Sequence, residues 1–255
     1  MSSTTKHVIA LHGSPRQGET WRLLERIADR LQSLDVNVER VHLVDYEIRD
    51  CVSCHSCLDR GSCPIKDDFD SLMERLHQAD GIILASPVYM GQVSAQLKRF
   101  IDRGFIKAHR PTLAGKPLLA VSTAAGSYTR QVNRYLHTAG ELWGLYKAGS
   151  IGRTAASLGR PLPERVLERY ARILHGGPSR HRPALSQIAL FHGIKDVAGA
   201  TVPLDARYWQ QHNLHDALYY YPCRLGWKRP ISWLLHQMMV VVAKRLSQSP
   251  GKQTR

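Results

Sequence analysis

Residues 7–20 read HVIALHGSPRQGET, and this stretch decides the fold class. The apolar run at residues 8–11 is typical of a buried strand, and it ends in a tight turn at residues 12–16. Beyond Glu19, apolar residues recur at helical spacing as far as Leu34, which predicts a helix. A strand, a turn and a helix in this order form the first unit of an α/β protein.

The same unit recurs along the next 130 residues or so. Strands are predicted at 36–44, 81–85 and 117–122, and helices at 68–79, 94–103 and 129–143. The run at 81–85 is uninterruptedly apolar, as in a parallel strand that is covered on both faces. The order βαβαβαβα predicts a doubly wound parallel sheet, whose ligands bind at the carboxyl ends of the strands.

The pattern changes after residue 150. Helices without intervening strands are predicted at 163–175, 184–197, 203–218 and 231–246, with a link rich in Pro, Arg and His at 178–183. A chain of 255 residues favours one α/β core with an appendage. We therefore predict a cofactor-binding domain over residues 1–150, with a cysteine loop at 50–66, and a mainly helical C-terminal extension over 151–255.

Charge and composition narrow the classes of function. The formal net charge is +14, but Lys and Arg are spread along the chain, which argues against a nucleic-acid partner. The excess of positive charge suits an anionic cofactor, an acidic protein partner or an anionic membrane surface. The opening MSSTTKH has none of the features of an export signal, so a cytoplasmic location is expected.

The turn after the first strand has the composition of a phosphate-binding loop. Its backbone N–H groups lie at the start of a helix, where the helix dipole also favours an anion. Ser14 and Thr20 add hydroxyl donors, Arg16 adds charge, and Gly18 keeps the turn open. An ordinary glycine-containing turn has a similar short pattern, so this motif alone does not establish a phosphate site. The loops around it strengthen the assignment.

Two further loops follow predicted strands and open at the same edge of the sheet. One contains Pro87, Val88, Tyr89, Met90 and Gly91, and the other contains Thr123, Ala124, Ala125 and Gly126. A segment stiffened by proline can lie along a flat aromatic ring, and small residues let a ring approach the backbone closely. Three such loops at successive strand ends indicate a cofactor site.

Four of the five cysteines, Cys51, Cys54, Cys57 and Cys63, fall within thirteen positions. In a reducing compartment such a cluster indicates metal-binding or redox chemistry. Bacterial ferredoxins hold a [4Fe–4S] cluster on a similar run that ends in Cys-Pro, as Cys63-Pro64 does here. Zinc and four free thiols are the alternatives.

Three pieces of the chain together resemble the NADPH-dependent FMN reductase superfamily and, within it, the iron-sulfur flavoproteins. They are GSPR with Thr20, CVSCHSCLDRGSCPIKDDF, and ADGIILASPVYMGQVSAQLKRFIDR. The resemblance implies a flavodoxin-like fold, FMN phosphate contacts at Ser14, Arg16 and Thr20, and ring contacts from 87–91 and 123–126. It also implies a homodimer or homotetramer.

The resemblance implies an FMN-dependent oxidoreductase that relays electrons between FMN and a [4Fe–4S] cluster, with the chemistry carried by FMN. Ferredoxin or a small molecule would be its electron partner, with NAD(P)H as a further candidate donor. One alternative is a cluster-free NAD(P)H-dependent FMN or quinone reductase. Another is a non-enzymatic electron carrier or redox sensor.

The apolar stretch 231–246 is broken by His236 and Gln237 and is shorter than the roughly 20 residues that a spanning helix needs. One interpretation is a helix packed on the core or across a subunit interface. The other is a peripheral membrane helix, with Trp233 and the methionines in the lipid boundary. Basic residues flank it for anionic headgroups: Lys228, Arg229, Lys244 and Arg245.

Overall fold

The computed structural model describes residues 5–248. Within them, a five-stranded sheet consists of β1 (Lys6–His12), β2 (Val36–His42), β3 (Gly81–Pro87), β4 (Pro117–Ala124) and β5 (Tyr146–Thr154). The strands are all parallel and lie in the order β2-β1-β3-β4-β5. The order reverses between β1 and β3, which makes this the flavodoxin-like switch point where ligands bind. The predicted fold class is confirmed.

Helices cover both faces of the sheet. They are α1 (Glu19–Gln32), α3 (Phe69–Gln78), α4 (Ala95–Arg103), α6 (Thr129–Leu142) and α7 (Glu164–Gly176), and the short helices α2 (Ser56–Arg60) and α5 (Phe105–His109) lie in the connections between them. One core lies between the sheet and α3, α4 and α6, and a second lies between the sheet and α1 and α7. This burial explains the apolar runs in β3 and β4, since both strands are covered from both sides.

Helix α4 shows how local sequence sets these boundaries. Ser94 is its N-cap, and its side chain accepts a hydrogen bond from the amide of Leu97 at 3.3 Å. Leu97 and Phe100 are spaced to face the sheet and are fully buried. The helix therefore begins one residue inside the predicted range 94–103.

Strand β5 was not predicted from the sequence. It contains Gly149 and Gly152 and only three fully buried apolar or aromatic residues, so it lacks the apolar run of a central strand. Gly149 is required by close packing, because a Cβ there would lie 2.7 Å from Val166. The predicted boundary at residue 150 falls inside β5, and α7 beyond it packs on the sheet through Leu167 and Tyr170.

The extension that follows α7 is helical. It contains α8 (Leu185–His192), a π-helical segment (Gly193–Ala198), α9 (Gly199–Thr201), α10 (Pro203–Gln211) and α11 (Arg229–Gln248). Phe191, Trp209, Tyr219 and Tyr220 form a small aromatic core between these elements. The helix predicted at 203–218 stops at Gln211, because the chain turns through Asn213 with a φ of 54°.

Helix α11 has two different faces. Ser232 and Ala243 are buried against the extension. Trp233, Met238 and Val241 are all more than half exposed. No helix among residues 5–248 is both long and apolar enough to cross a membrane. Because this apolar face is exposed, the packed helix and the peripheral membrane helix both remain predictions for residues 231–246.

Candidate functional site

The loop between β1 and α1 is pressed against the start of α4. A Cβ on Gly13 would lie 2.4 Å from the Cβ of Leu97, so only glycine fits at this position. The Ser94 hydroxyl donates a hydrogen bond to the carbonyl of Gly13. On the other side of the loop, His42 Nε2 donates to the carbonyl of Ser14 at 2.8 Å. The loop is therefore held at both flanks by buried side chains.

The amino end of α1 is built to accept an anion. Gly18 is the N-cap and offers no side chain, so the first amides of the helix lack a capping partner from it. Ser14 and Thr20 are buried beside these amides. Arg16 Nε lies 3.6 Å from the position that a Cβ of Gly18 would take, so the guanidinium lies over the helix start. Dipole, amides and guanidinium together favour a phosphate here.

Hydrogen bonds join the three predicted cofactor loops. The hydroxyls of Thr20 and Thr123 are 2.6 Å apart, which ties the phosphate loop to the loop after β4. The amide of Val88 donates to the carbonyl of Thr123 at 2.7 Å, which ties in the loop after β3. The structure thus brings the predicted residues together at the carboxyl edge of the sheet.

The outer rim of this edge is exposed and partly aromatic. Tyr89 pairs with Gln92 through two backbone hydrogen bonds, and this turn places Met90 and Gly91 at φ values of 49° and 76°. Met90 is fully exposed and Tyr89 is nearly half exposed. Across from the turn, Tyr128 lies next to Gly91. Sequence analysis missed Tyr128, which lies two residues beyond the loop at 123–126.

The backbone of the loop after β4 is accessible to a flat ring. Pro87 is half-buried at the end of β3, and Ala124 is half-buried at the end of β4. Ala125 and Gly126 are exposed, and a Cβ on Gly126 would meet no atom within 4 Å. Open space beside small residues is what close approach of a cofactor ring requires.

A buried histidine beside the phosphate loop was also missed. Neither ring nitrogen of His12 has a hydrogen-bond partner among the described residues. Burial, and then the neighbouring His42 ring, lower the pKa of His12 to about 4, so the ring is neutral at pH 7. The ring packs against Trp21 at 5.3 Å, and Arg40 lies over that indole at 5.0 Å. The position of His12 just before Gly13 was the available sequence signal.

The cysteine loop is irregular around the short helix α2. Ser53 and His55 both adopt positive φ, which is uncommon for residues other than glycine. The carbonyl of His55 accepts hydrogen bonds from the amides of Leu58 and Asp59, which start the helix. Cys51 and Cys54 are exposed, whereas Cys57 and Cys63 are half-buried.

The four thiols influence one another electrostatically. Burial raises the pKa of Cys57, and the neighbouring Cys63, Cys51 and Cys54 raise it further. Hydrogen bonds from the backbone and side chain of Ser56 lower the pKa of Cys54. The thiolate form of Cys57 is therefore disfavoured beside the other cysteines, and a bound cation or metal cluster would stabilise it.

A buried ion pair closes the base of the cysteine loop. Arg103 donates through both terminal nitrogens to the carboxylate of Asp67, and both side chains are only 1% exposed. Asp67 also accepts a hydrogen bond from the amide of Arg49 at 2.9 Å. Arg103 Nη2 lies 3.5 Å from Cys63 Sγ, to which it donates. The guanidinium of Arg103 therefore connects the two ends of the cysteine loop with the thiol of Cys63.

The C-terminal extension supports the same loop. Asp205 on α10 is fully buried and accepts hydrogen bonds from Arg110 at 2.6 Å and from His109 at 2.7 Å. Arg110 in turn donates to the carbonyls of Cys57 and Leu58. Because these carbonyls belong to α2, the extension fixes the helix that carries Cys57.

A cleft of about 870 Å³ opens beside the cysteines. The four clustered cysteines line it together with apolar side chains of α4, α5 and α6, among them Ile101, Phe105 and Leu142, and with Trp143 just after α6. The cleft is large enough for a small molecule or for a segment of a partner.

Helix α4 separates the two sites. Its N-cap Ser94 contacts the phosphate loop, and its last residue Arg103 contacts Cys63. A nine-residue helix is about 13 Å long at 1.5 Å per residue. The cofactor edge and the cysteine loop therefore lie near opposite ends of one helix.

Comparison with known proteins assigns the family. A family model described as NADPH-dependent FMN reductase matches residues 7–153, which include all three loops and the four clustered cysteines. The chain belongs to this family. The match ends within β5, so α7 and the C-terminal extension lie outside it.

The similar curated proteins include several iron-sulfur flavoproteins, as the resemblance predicted. One from Archaeoglobus fulgidus is 36% identical over 143 residues, which are 55% of this chain and 65% of that protein. One from Methanocaldococcus jannaschii is 43% identical over 97 residues, which are 38% of this chain and 50% of that protein. The chain thus spans between half and two thirds of these relatives.

A solved structure extends the likeness into the C-terminal extension. The structure of RosB, with a bound intermediate described as 8-demethyl-8-formylriboflavin-5'-phosphate, aligns with this chain at a TM-score of 0.56. The alignment covers 98% of this chain and 90% of the RosB chain. At 10% identity, this likeness concerns the fold alone. The helical extension is therefore part of a fold that also occurs in another protein.

Proposed function

We propose that this protein is an FMN-dependent oxidoreductase that also carries a [4Fe–4S] cluster on Cys51, Cys54, Cys57 and Cys63. The observation that carries the proposal is the joining of three loops by Thr20, Thr123 and Val88 at the switch point of the sheet. Family membership supports FMN as the ligand of that edge. The names of the curated relatives support an iron-sulfur centre.

The residues at the edge fit FMN in charge and in hydrogen-bonding groups. Arg16 and the first amides of α1 would hold the phosphate, with Ser14 and Thr20 as hydroxyl donors. The backbone from Pro87 to Gly91 and from Thr123 to Gly126 would line the ring. The net charge of +14 also favours an anionic cofactor.

The cysteine loop fits a cluster better than it fits isolated thiols. The four cysteines line a cleft, the other three raise the pKa of Cys57, and Arg103 supplies a hydrogen bond to Cys63. Hydrogen bonds to ligand sulfur atoms and restricted solvent access are what tune a cluster's reduction potential. Zinc is the alternative occupant of the same thiols.

FMN supplies two-electron chemistry and an iron-sulfur cluster supplies one-electron transfer. The chain's own part is to bind and position. The hydrogen bond between Thr20 and Thr123 holds the phosphate loop beside the loop after β4. The Arg103–Asp67 pair holds the ends of the cysteine loop together. Because α4 contacts both sites, it fixes their separation within one protomer.

The electron partners and the assembly are part of the proposal. The cleft beside the cysteines has room for ferredoxin side chains or a small-molecule acceptor, and NAD(P)H is a candidate donor at the FMN edge. A homodimer or homotetramer would cover the exposed Tyr89, Met90 and Tyr128. If the protein does not turn over NAD(P)H or a quinone, it would instead be an electron carrier or a redox sensor.

Anaerobic purification with flavin, iron, sulfide and zinc analysis tests the proposal. We expect about one FMN and four iron atoms per chain. Replacing Cys57 with Ser should remove iron and sulfide but leave most FMN, because α4 separates the two sites. Replacing Cys223 with Ser, outside the loop, is the matched control and should change neither.

Protein with FMN but without iron in the wild type would favour the cluster-free reductase, and stoichiometric zinc would favour a structural metal. Absence of flavin from the folded protein would contradict the assignment of the edge. Steady-state turnover with NAD(P)H and a quinone then separates an enzyme from an electron carrier.

A further inference from the structure

A polar cluster lies inside the C-terminal extension, apart from both sites described above. His192 ends α8, Asp196 lies in the π-helical segment, and His236 lies on α11. His192 is fully buried, and the side chains of Asp196 and His236 are 5% and 13% exposed. One ligand atom from each residue lies within 4.8 Å of the other two. Two imidazoles and a carboxylate are a ligand set for a divalent transition metal.

The distances in the cluster match a coordination sphere. Asp196 Oδ2 lies 3.2 Å from His192 Nδ1 and 3.0 Å from His236 Nδ1. Ligand atoms bound tetrahedrally to Zn²⁺ at about 2.0–2.1 Å are roughly 3.3 Å from one another. Small side-chain shifts would therefore place one ion between the three atoms.

Ser232 decides which nitrogen of His192 is free to bind. Its hydroxyl donates to the carbonyl of Leu218 at 2.8 Å, so its oxygen accepts from His192 Nε2 at 2.9 Å. The Nε2 proton leaves a lone pair on His192 Nδ1, which faces a carboxylate oxygen. Two acceptors at this distance require a proton or a metal ion between them. Metal-bound histidines likewise donate their other ring N–H to an oxygen acceptor.

Lys195 orients the carboxylate from its other side. Its ammonium lies 3.3 Å from Asp196 Oδ1 and donates to the carbonyls of His215 and Ala217. His236 Nδ1 lies 3.0 Å from Oδ2, 3.1 Å from Oδ1 and 3.4 Å from the Lys195 ammonium, so Oδ2 is the oxygen that both imidazoles contact. Because the ammonium repels a dication, the site should bind metal more weakly than the same three ligands would without this neighbour.

The local backbone and the adjoining space also fit a ligand site. The segment that carries Asp196 is π-helical, and such segments occur frequently at functional sites. A cavity of about 230 Å³ is lined by Asp196, His236 and Trp209. It has room for a water molecule as the fourth ligand.

We propose that His192, Asp196 and His236 bind a divalent transition-metal ion, with Zn²⁺ as the best match, and that this ion ties α11 to α8. The ligands are 44 residues apart in sequence, so the ion would hold the last helix of the fold in place. The proposal is independent of FMN and of the cysteine loop.

Cobalt titration of the full-length protein tests the site, because Co²⁺ bound by nitrogen and oxygen lacks the charge-transfer bands that thiolates give. We expect one Co²⁺ of the nitrogen and oxygen type per chain. Ser232→Ala, which keeps all three ligands, should weaken Co²⁺ binding by roughly 10–100-fold, and His236→Asn should weaken it more. His212→Asn, an exposed histidine of the same extension, is the control.

Thermal unfolding provides a second measurement. Zn²⁺ should raise the unfolding temperature of the wild type and of His212→Asn, but not that of His236→Asn. A wild type with only thiolate-type Co²⁺ bands would overturn the proposal, as would Co²⁺ affinity that Ser232→Ala leaves unchanged. Either result would make the cluster a hydrogen-bonded network around the Lys195–Asp196 ion pair.

Discussion

The buried ion pair at the base of the cysteine loop gives the sharpest test of the structure. Asp67→Asn removes the charge that faces Arg103 while keeping the size of the side chain. The native carboxylate accepts hydrogen bonds from Arg103 and from the backbone amides of Arg49 and Phe69. The asparagine side chain would place its own NH₂ group against one of these donors. With both side chains 1% exposed, solvent screens little of the loss.

We expect Asp67→Asn to lower the free energy of unfolding by about 3–5 kcal/mol, the range for breaking a buried pair from one side. The control is Asp102→Asn in the exposed Lys98–Asp102 pair of α4, where both side chains are nearly half exposed. That change should cost about 0.5 kcal/mol or less. Urea denaturation of the two variants side by side measures the difference.

The pH dependence of the loss follows from the pKa of Asp67. Burial raises this pKa, but hydrogen bonds from Arg103 and from two amides outweigh burial and bring it below its ordinary value. The stabilisation is therefore fully present above about pH 4 and is lost as the pH falls through the native pKa. The wild type and Asp67→Asn should differ at pH 7 and converge in strong acid.

Iron content gives a functional measurement for the same variant. Freed from Asp67, Arg103 no longer joins the two ends of the loop, so iron should be lost faster from Asp67→Asn than from Asp102→Asn. If Asp67→Asn loses no more stability than Asp102→Asn, the Arg103–Asp67 pair does not hold the base of the loop.

Three further predictions concern the phosphate loop, the buried histidine and α11. Arg16→Ala should weaken FMN binding by about 1.5–3 kcal/mol, whereas Arg165→Ala on the outer face of α7 should not, and equal dissociation constants would place the phosphate elsewhere. Because the native pKa of His12 is about 4, below the roughly 6.5 of an unfolded histidine, the free energy of unfolding should fall as the pH drops from 6.5 to 4. His12→Gln should flatten that slope, and an unchanged slope would contradict the assignment. Met238→Glu on the exposed face of α11 should reduce assembly in light scattering, whereas loss of anionic-vesicle binding with unchanged assembly would favour the membrane interpretation.

Local sequence was sufficient for the βα units and for the chemistry of their loops. The run at 8–11, the turn at 12–16 and the helix after it are each determined by neighbours a few residues apart, as hydrophobic periodicity and turn preferences are. The clustered cysteines are local in the same sense. For this reason the fold class and the family could be predicted without coordinates.

Strand β5 shows where local signals end. Its two glycines are weak strand formers and its apolar residues are few. It becomes a strand because β4 supplies a partner and because Val166 and Thr129 approach its glycines closely. These are tertiary contacts, so no window of the sequence contains them.

What the sequence alone determined is the order of the elements, the three cofactor loops and the four candidate metal-binding thiols. Only the tertiary structure decided which distant side chains meet: Arg103 with Asp67, Arg110 with Asp205, and His192 with His236. Burial gives these polar groups their importance, because a buried charge loses its contacts with water and needs a protein partner in their place. That burial depends on how the sheet domain and the extension pack, which residue spacing does not record.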